Sequence, residues 1–278
     1  PQELGRNYPP TLGIIADAKT FMGQLLAGAS SRTSLHEKNW APWRKQIQGW
    51  QSEWNTFVAP HFTDSTSPLR PEFVVSAVQQ MLPDDAILCL DSGVHHNWFM
   101  QFWRAKRPQS MLNSWGYSSM GFGVCGVLGA QLAAPDRPCV AVVGDGGFTM
   151  APYVLCTAVE YNLPVVWIVW NNFAWGAIRD LQYGLFDGRE IGTAFYKGQS
   201  GEQYNPDFAA WARACGADGM TVTKPQDLKG AIELAIKNKR PCLIDVHVDA
   251  NIRPPSTGTW QLPPIPYKEP IYGKPHAR

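Results

Sequence analysis

Residues 144–172 read GDGGFTMAPYVLCTAVEYNLPVVWIVWNN. The apolar run at 139–143 feeds directly into Gly144-Asp145-Gly146-Gly147-Phe148, and a second apolar run, beginning at residue 165, ends in Asn171-Asn172. Runs of this length, rich in valine and bounded by glycine or asparagine, read as strands buried on both faces of a parallel sheet. Residues 151–161 between them have the apolar spacing of a helix. Strand, helix and strand form one crossover unit, which brings the carboxyl ends of both strands to the same edge of the sheet. Asp145 and Asn172 therefore converge, with glycines at a helix start between them.

The same alternation extends in both directions. Helices are expected at 71–81, 96–102, 121–134, 207–215 and 225–237, and strands at 86–91, 139–144, 165–171 and 242–248. The fold class is therefore α/β, a doubly wound parallel sheet with helices on both faces. Such sheets bind ligands beyond the carboxyl ends of their strands. Upstream, 11–16 (TLGIIA) reads as a strand and 18–26 as a helix, a short remnant of a second Rossmann-like α/β domain. Residues 35–54 have weak helical periodicity, and Trp40, Trp43, Trp50 and Trp54 read as a stripe that packs on a neighbouring domain. The Pro, Ser and Thr of 60–71 suit a linker. The expected division is 1–64 as remnant plus linker, 65–250 as the ligand-binding domain, and 251–278 as a tail or lid; 184–203 also reads as loop or lid. The opening Pro1-Gln2-Glu3 suggests a fragment or a processed chain.

In 278 residues the formal net charge is +1, without a basic run, which disfavours nucleic acid as a partner. No apolar run approaches the roughly 20 residues that span a bilayer, and no signal peptide opens the sequence. A soluble, cytoplasmic protein is expected, without a membrane partner. The six cysteines are scattered, with no C-x-x-C pair, and read as reduced core residues rather than disulfides or metal ligands.

Residue types at the converging strand ends point to chemistry. Glycines at a helix start let backbone N–H groups approach phosphate oxygens, and the helix dipole favours an anion. A hard cation such as Mg²⁺ takes a carboxylate, an amide oxygen, a main-chain carbonyl and diphosphate oxygens. Asp145, Asn172 and the carbonyl of Ala174 are the candidate metal ligands. Gly-Asp-Gly alone recurs by chance; Asn-Asn at the end of the next strand makes the pattern specific.

The segment 144–172 resembles the motif of thiamine-diphosphate enzymes, which opens with GDG and closes with NN, and the resemblance runs from about residue 86 to 249, nearest to acetolactate-synthase-like enzymes. It implies thiamine diphosphate and Mg²⁺ as cofactors. Residue by residue it implies that Gly93, Val94 and His95 contact the diphosphate, that Gly146 and Gly147 close over the phosphates, and that Gly144 and Trp175 are also cofactor-binding. Met120 matches the bulky residue that keeps the cofactor bent, its 4′-amino group against the thiazolium C2, and Ser118 the residue whose carbonyl meets that amino group; these two are the catalytic candidates. Ala177, Ile178 and Leu181 fall where the family lines its substrate pocket, with Trp175, Arg179, Tyr183 and Arg189 following the metal motif. Leu181 departs from the tryptophan usual in acetohydroxyacid synthases, which weakens that particular reading.

The resemblance further implies a carbonyl substrate, a homo-oligomer (a dimer or larger), and a pyrimidine-binding domain or subunit that supplies a glutamate to the cofactor's ring. No segment before residue 65 resembles that domain, so this chain is expected to be inactive by itself. The implied activity is cleavage or carboligation of a carbon–carbon bond in a 2-oxo acid or related carbonyl compound, as a lyase or transferase. Alternatives are a decarboxylase, a 2-hydroxyacyl-CoA lyase, for which Arg253, Lys268, Lys274 and Arg278 are the available cations, and a cyclic-dione hydrolase. A non-catalytic cofactor-binding fragment is the rival from another class. Several relatives hold FAD in their central domain, but the part of that domain present here does not support it.

Overall fold

The computed structural model describes residues 3–29, 33–114 and 116–254, with the backbone alone for 33–39. Most of the expected tail, 255–278, lies outside the described residues, as do Lys268, Lys274 and Arg278. The chain divides into two units between Val58 and Ala59.

The first unit contains two helices, α1 (Ala18–Ala29) and α2 (Thr33–Val58). Asp17 starts α1 by accepting the Thr20 amide at 2.9 Å and the Thr20 hydroxyl at 2.9 Å, which satisfies one of the orphan donors of the first turn. The strand expected at 11–16 does not form: the segment is irregular, and Ile14 and Ile15 are exposed. Its apolar run has no ladder partner among the described residues of this unit, and a strand without one leaves its N–H and C=O groups to water. The expected tryptophans do fall on one helix, where Trp43 and Trp50 meet edge to face at 5.4 Å while Trp40, Trp43 and Trp50 remain half exposed.

The second unit opens with a 3-10 turn, Ala59–Phe62, and builds an all-parallel sheet of β1 (Ile87–Leu90), β2 (Met111–Asn113), β3 (Cys139–Gly144), β4 (Val166–Asn171), β5 (Asp218–Val222) and β6 (Cys242–His247). Across the sheet the order is β2-β1-β3-β4-β6-β5. Between the strands run α3 (Pro71–Met81), α4 (Val94–Phe102), α5 (Phe122–Ala133), α6 (Asp145–Phe148), α7 (Val154–Glu160), α8 (Gly176–Leu185), α9 (Phe208–Ala214) and α10 (Pro225–Asn238). Every residue of β4 is buried, as a strand covered on both faces requires.

Alternate strand residues feed two cores. Cys89, Ala141, Val143, Trp167 and Val169 point to the layer of α5, α7 and α9, packing with Val124, Val127, Leu155 and Phe208. There the Trp167 indole donates to the Val124 carbonyl at 2.9 Å, so the buried ring keeps its polar atom satisfied. On the other face lie α3, α4 and α10, where Trp98 stacks on Phe102 and Phe99 meets Trp170 edge to face.

Two strands and one helix lie beyond the sequence expectations. β2 and β5 are short edge strands of mixed polarity, half buried over most of their length, so neither gives an apolar run. α8 begins on Gly176, a residue that discourages helices, which masks it. The cysteines divide: Cys89, Cys139 and Cys242 are core residues as expected, whereas Cys125 and Cys156 are exposed because they fall on the outer faces of α5 and α7.

The layer of α9 against β5 depends on one glycine. A Cβ at Gly219 would stand 2.1 Å from the Ala209 carbonyl oxygen. Gly219→Ala is expected to destabilise the protein by about 1–3 kcal/mol or more, read as a lower urea midpoint with an unchanged denaturant slope.

Candidate functional site

The direction of strand addition reverses between β1 and β3, because the chain passes from β1 outward to β2 and then returns to the other side of β1. A doubly wound sheet opens its ligand crevice at such a reversal, where neighbouring loops leave in opposite directions. An open cleft enclosing about 490 Å³ lies there. Gly93, Val94 and His95 enter it from the end of β1, and Gly144, Asp145, Gly146 and Gly147 from the end of β3. Asn172, Ala174, Trp175, Ala177 and Ile178 come from the end of β4 and the start of α8, and Met120 from the turn before α5.

The structure thus brings together nearly all the residues singled out in the sequence. Ser118, Leu181, Arg179, Tyr183 and Arg189 stand apart from the lining. Ser118 reaches the cleft through its hydroxyl, 3.1 Å from that of Ser92, which is itself a lining residue. Leu181 lies on α8 one turn beyond Ile178 and does not line the cleft. Met120 is 37 % exposed at the mouth rather than packed in the core.

Asp145 is buried at the β3 end, and burial pushes its carboxyl up to about 6. Hydrogen bonds work against that rise. Oδ1 accepts from the Gly146 amide at 2.8 Å, and Oδ2 accepts from the Ala174 amide at 3.3 Å and from the Asn205 side chain at 2.9 Å. The two asparagines after β4 have different duties. Asn171 has both ends of its amide engaged, donating to Asp245 at 2.9 Å and accepting from Asn205 at 2.7 Å. Asn172 is the one whose amide lines the cleft.

His95 lies under the glycines: a Cβ on Gly93 would fall 2.8 Å from its ring and one on Gly144 3.5 Å. Its ring bonds to the Asp91 main chain, while Nε2 has no partner although it is buried. Desolvation, with a smaller contribution from His96, lowers its pKa to about 3, so the imidazole is neutral. A buried nitrogen without a partner costs free energy, which a ligand's polar atom could recover.

Gly146 has a different constraint. The Trp175 indole lies so close that a Cβ there would be 2.3 Å from it. Trp175 is braced in turn by Phe195, edge to face at 5.4 Å, and its amide donates to the Thr193 carbonyl. The expected loop 184–203 therefore includes a ribbon laid along 173–175, through the Ala174–Ala194 and Tyr196–Gln203 bridges. Arg179 pairs with Glu190 at 3.1 Å and Tyr183 bonds the same carboxylate, so these side chains tie α8 to the next loop.

Two functional residues escaped the sequence reading. Asp91, at the end of β1, accepts amides of Ser92, Gly121, Gly123 and Val124 and so caps α5 from a distance. It holds a turn in which Ser118 and Gly121 have φ of 51° and 90°, the left-handed region, and thereby places Met120. Its signal was a carboxylate at a strand end before glycine, the same placement that marks Asp145. Asn205 lies in Asn-Pro-Asp, which reads only as a helix start; nothing in its spacing announces a partner at position 145.

Fold and cleft together define an α/β domain with a ligand crevice at its switch point. The chain belongs to the thiamine pyrophosphate enzyme family, residues 91–246 matching its C-terminal TPP binding domain. It is 31% identical over 248 residues to the acetolactate synthase large subunit of Parasynechococcus marenigrum (strain WH8102), covering 89% of this chain and 38% of that one. To the acetolactate synthase large subunit of Cyanidium caldarium it is 32% identical over 246 residues, covering 88% and 40%. Among solved structures, the thiamine diphosphate-dependent 4-hydroxybenzoylformate decarboxylase of Rhodococcus jostii RHA1 matches with a TM-score of 0.60 and 28% identity, over 67% of this chain and 34% of that one. The chain thus spans about two fifths of the length of the curated relatives it matches.

The neutral state of His95 has a measurable consequence. Its folded pKa is about 3, below the value of about 6.5 in an unfolded chain, so the unfolded state binds more protons between these limits. Stability is then complete above pH 6.5 and lost as pH falls below it, by up to about 1.4 kcal/mol per unit from this group. His95→Phe, which keeps a ring in the slot, is expected to remove that part of the slope in urea unfolding followed from pH 7 to 4.

Proposed function

We propose that this chain anchors Mg²⁺ and the diphosphate of thiamine diphosphate in an enzyme that cleaves or joins a carbon–carbon bond next to a carbonyl, acting on a 2-oxo acid in the manner of acetolactate-synthase-like enzymes. The observation that carries the reading is the convergence of Asp145, Asn172 and Ala174 with two glycine-rich strand ends at the switch point. The residues fit the cofactor in their donor set, which is all oxygen, as Mg²⁺ prefers, gathered at the cleft where Gly144, Gly146 and Gly147 carry no side chain.

In this reading Asp145, the Asn172 amide oxygen and the Ala174 carbonyl would hold the cation, and the Gly147 amide, with Gly93, Val94 and His95, would hold the diphosphate, the Gly146 amide being committed to Asp145. Met120, which lines the cleft, and the Ser118 carbonyl would be the contacts for the part of the cofactor beyond its diphosphate. Trp175 shields the phosphates from water. Ala177 and Ile178 would face the reacting end, with Leu181 one turn further along the same helix. When bound, thiamine diphosphate supplies a nucleophilic carbon and an electron sink for the carbanion that forms beside the substrate carbonyl.

The pyrimidine end of the cofactor is left to a separate domain, on the same or another polypeptide, in a cytoplasmic homo-oligomer. Residues 1–64 serve as the end of a central domain with its linker. Simple decarboxylation is the second reading, favoured by Leu181 in place of tryptophan and by the resemblance to a benzoylformate-type decarboxylase. Among the described residues no helix is long and apolar enough to cross a membrane.

A substrate panel tests the proposal. The protein, combined with its pyrimidine domain, thiamine diphosphate and Mg²⁺, is supplied with pyruvate, 2-oxobutyrate and benzoylformate, and CO₂ release and coupled products are followed. Turnover of at least one 2-oxo acid is expected, with coupled product indicating carboligation and aldehyde alone indicating decarboxylation. Asp145→Ala is expected to reduce turnover by at least about a hundredfold, the scale on which a lost electrostatic anchor acts. Metal-independent turnover, or full activity in Asp145→Ala, would contradict the reading.

A further inference from the structure

A chain of hydrogen bonds runs behind the metal residues. Its two ends are buried carboxylates, Asp145 after β3 and Asp245 in β6, and its links are two amides, Asn205 and Asn171. Ionised carboxylates only accept hydrogen bonds, which fixes the direction of every link. Asn171 must turn its NH₂ to Asp245, at 2.9 Å, and therefore presents its oxygen to Asn205. Asn205 then donates both protons of one NH₂, to Asn171 Oδ1 at 2.7 Å and to Asp145 Oδ2 at 2.9 Å.

The placement of Asn205 is itself fixed. It precedes Pro206 and Asp207, whose carboxylate accepts the Ala210 amide at 2.8 Å and caps α9. On its other side, the Tyr204 amide donates to the Phe195 carbonyl, which belongs to the ribbon over the cleft. Asn205 is therefore held from both flanks while its side chain reaches back to the β3 end.

We propose that Asn205 is the positioning residue of the metal site: by engaging Asp145 Oδ2 and Asn171 together, it leaves Asp145 Oδ1 and the Asn172 amide turned to the cation. This inference rests on the reading of the cleft as a Mg²⁺-diphosphate site. Oδ2 receives both Asn205 and the Ala174 amide and Oδ1 the Gly146 amide, with the Phe173 amide also turned to the carboxylate, so Oδ1 is the oxygen that Asn205 leaves unengaged. The same link explains why only one asparagine of the Asn171-Asn172 pair is available, since the first is used as a relay between two carboxylates. Groups that orient a metal ligand from behind typically govern metal affinity by 10- to 100-fold.

The test is a split between the metal requirement and cofactor affinity. Thiamine diphosphate binding to the protein is followed by quenching of tryptophan fluorescence across a Mg²⁺ series, in wild type and Asn205→Ala. The Mg²⁺ concentration for half-maximal binding is expected to rise about 10- to 100-fold in the variant, while saturating Mg²⁺ restores wild-type affinity for thiamine diphosphate. Should Asn205→Ala not fold, Asn205→Ser, which keeps a donor on a shorter stem, is expected to show a smaller rise in the same direction. An unchanged Mg²⁺ requirement in a folded variant, or a loss of affinity that saturating Mg²⁺ does not restore, overturns the proposal. Wild-type protein that binds no thiamine diphosphate at any Mg²⁺ concentration overturns the reading of the cleft instead, and is recognised before any variant is compared.

Discussion

A carboxylate taken out of water at the end of a central strand is costly unless donors or a cation surround it, and Asp145 imposes that requirement on everything near it. The raised pKa of about 6 records how incompletely the protein alone meets it. Backbone amides of Gly146, Ala174 and Phe173 and the Asn205 side-chain amide answer part of the demand. They come from three stretches of chain: the turn into α6, the loop after β4, and the lead into α9. A divalent cation would answer the rest.

The sheet supplies the means of assembling that surrounding. Parallel strands deliver their carboxyl ends to one edge, and the reversal between β1 and β3 opens a crevice there. Asp91 at the end of β1 and Asp145 at the end of β3 occupy comparable positions but serve different purposes. The first gathers the amides that begin α5 and so fixes the turn bearing Ser118 and Met120. The second faces the cleft. Glycines at 93 and 146 are required by His95 and Trp175, whose rings occupy the space a side chain would need.

What the sequence made legible follows from how strongly each element is buried. β3, β4 and β6 are covered on both faces and spell continuous apolar runs, so the sheet and its layers could be read directly. Asp145 and Asn172 could be read because a crossover unit obliges its strand ends to meet. β2 and β5 were hidden because edge strands need no apolar run, and 11–16 misled because such a run without neighbours makes no ladder. Asn205 and Asp91 were hidden for another reason. Their partners lie 60 and about 30 residues away, and long-range hydrogen bonds leave no periodic trace.

The central claim is that a cation bridges Asp145, Asn172 and Ala174 to a diphosphate in the cleft. Crystals of the protein grown with thiamine diphosphate and Mn²⁺, which replaces Mg²⁺ and scatters anomalously, test it directly. The account predicts an anomalous peak within about 2.0–2.3 Å of an Asp145 carboxylate oxygen, the Asn172 amide oxygen and the Ala174 carbonyl, with diphosphate oxygens completing the shell. Cofactor density in the cleft with the metal elsewhere, or without metal, would contradict it.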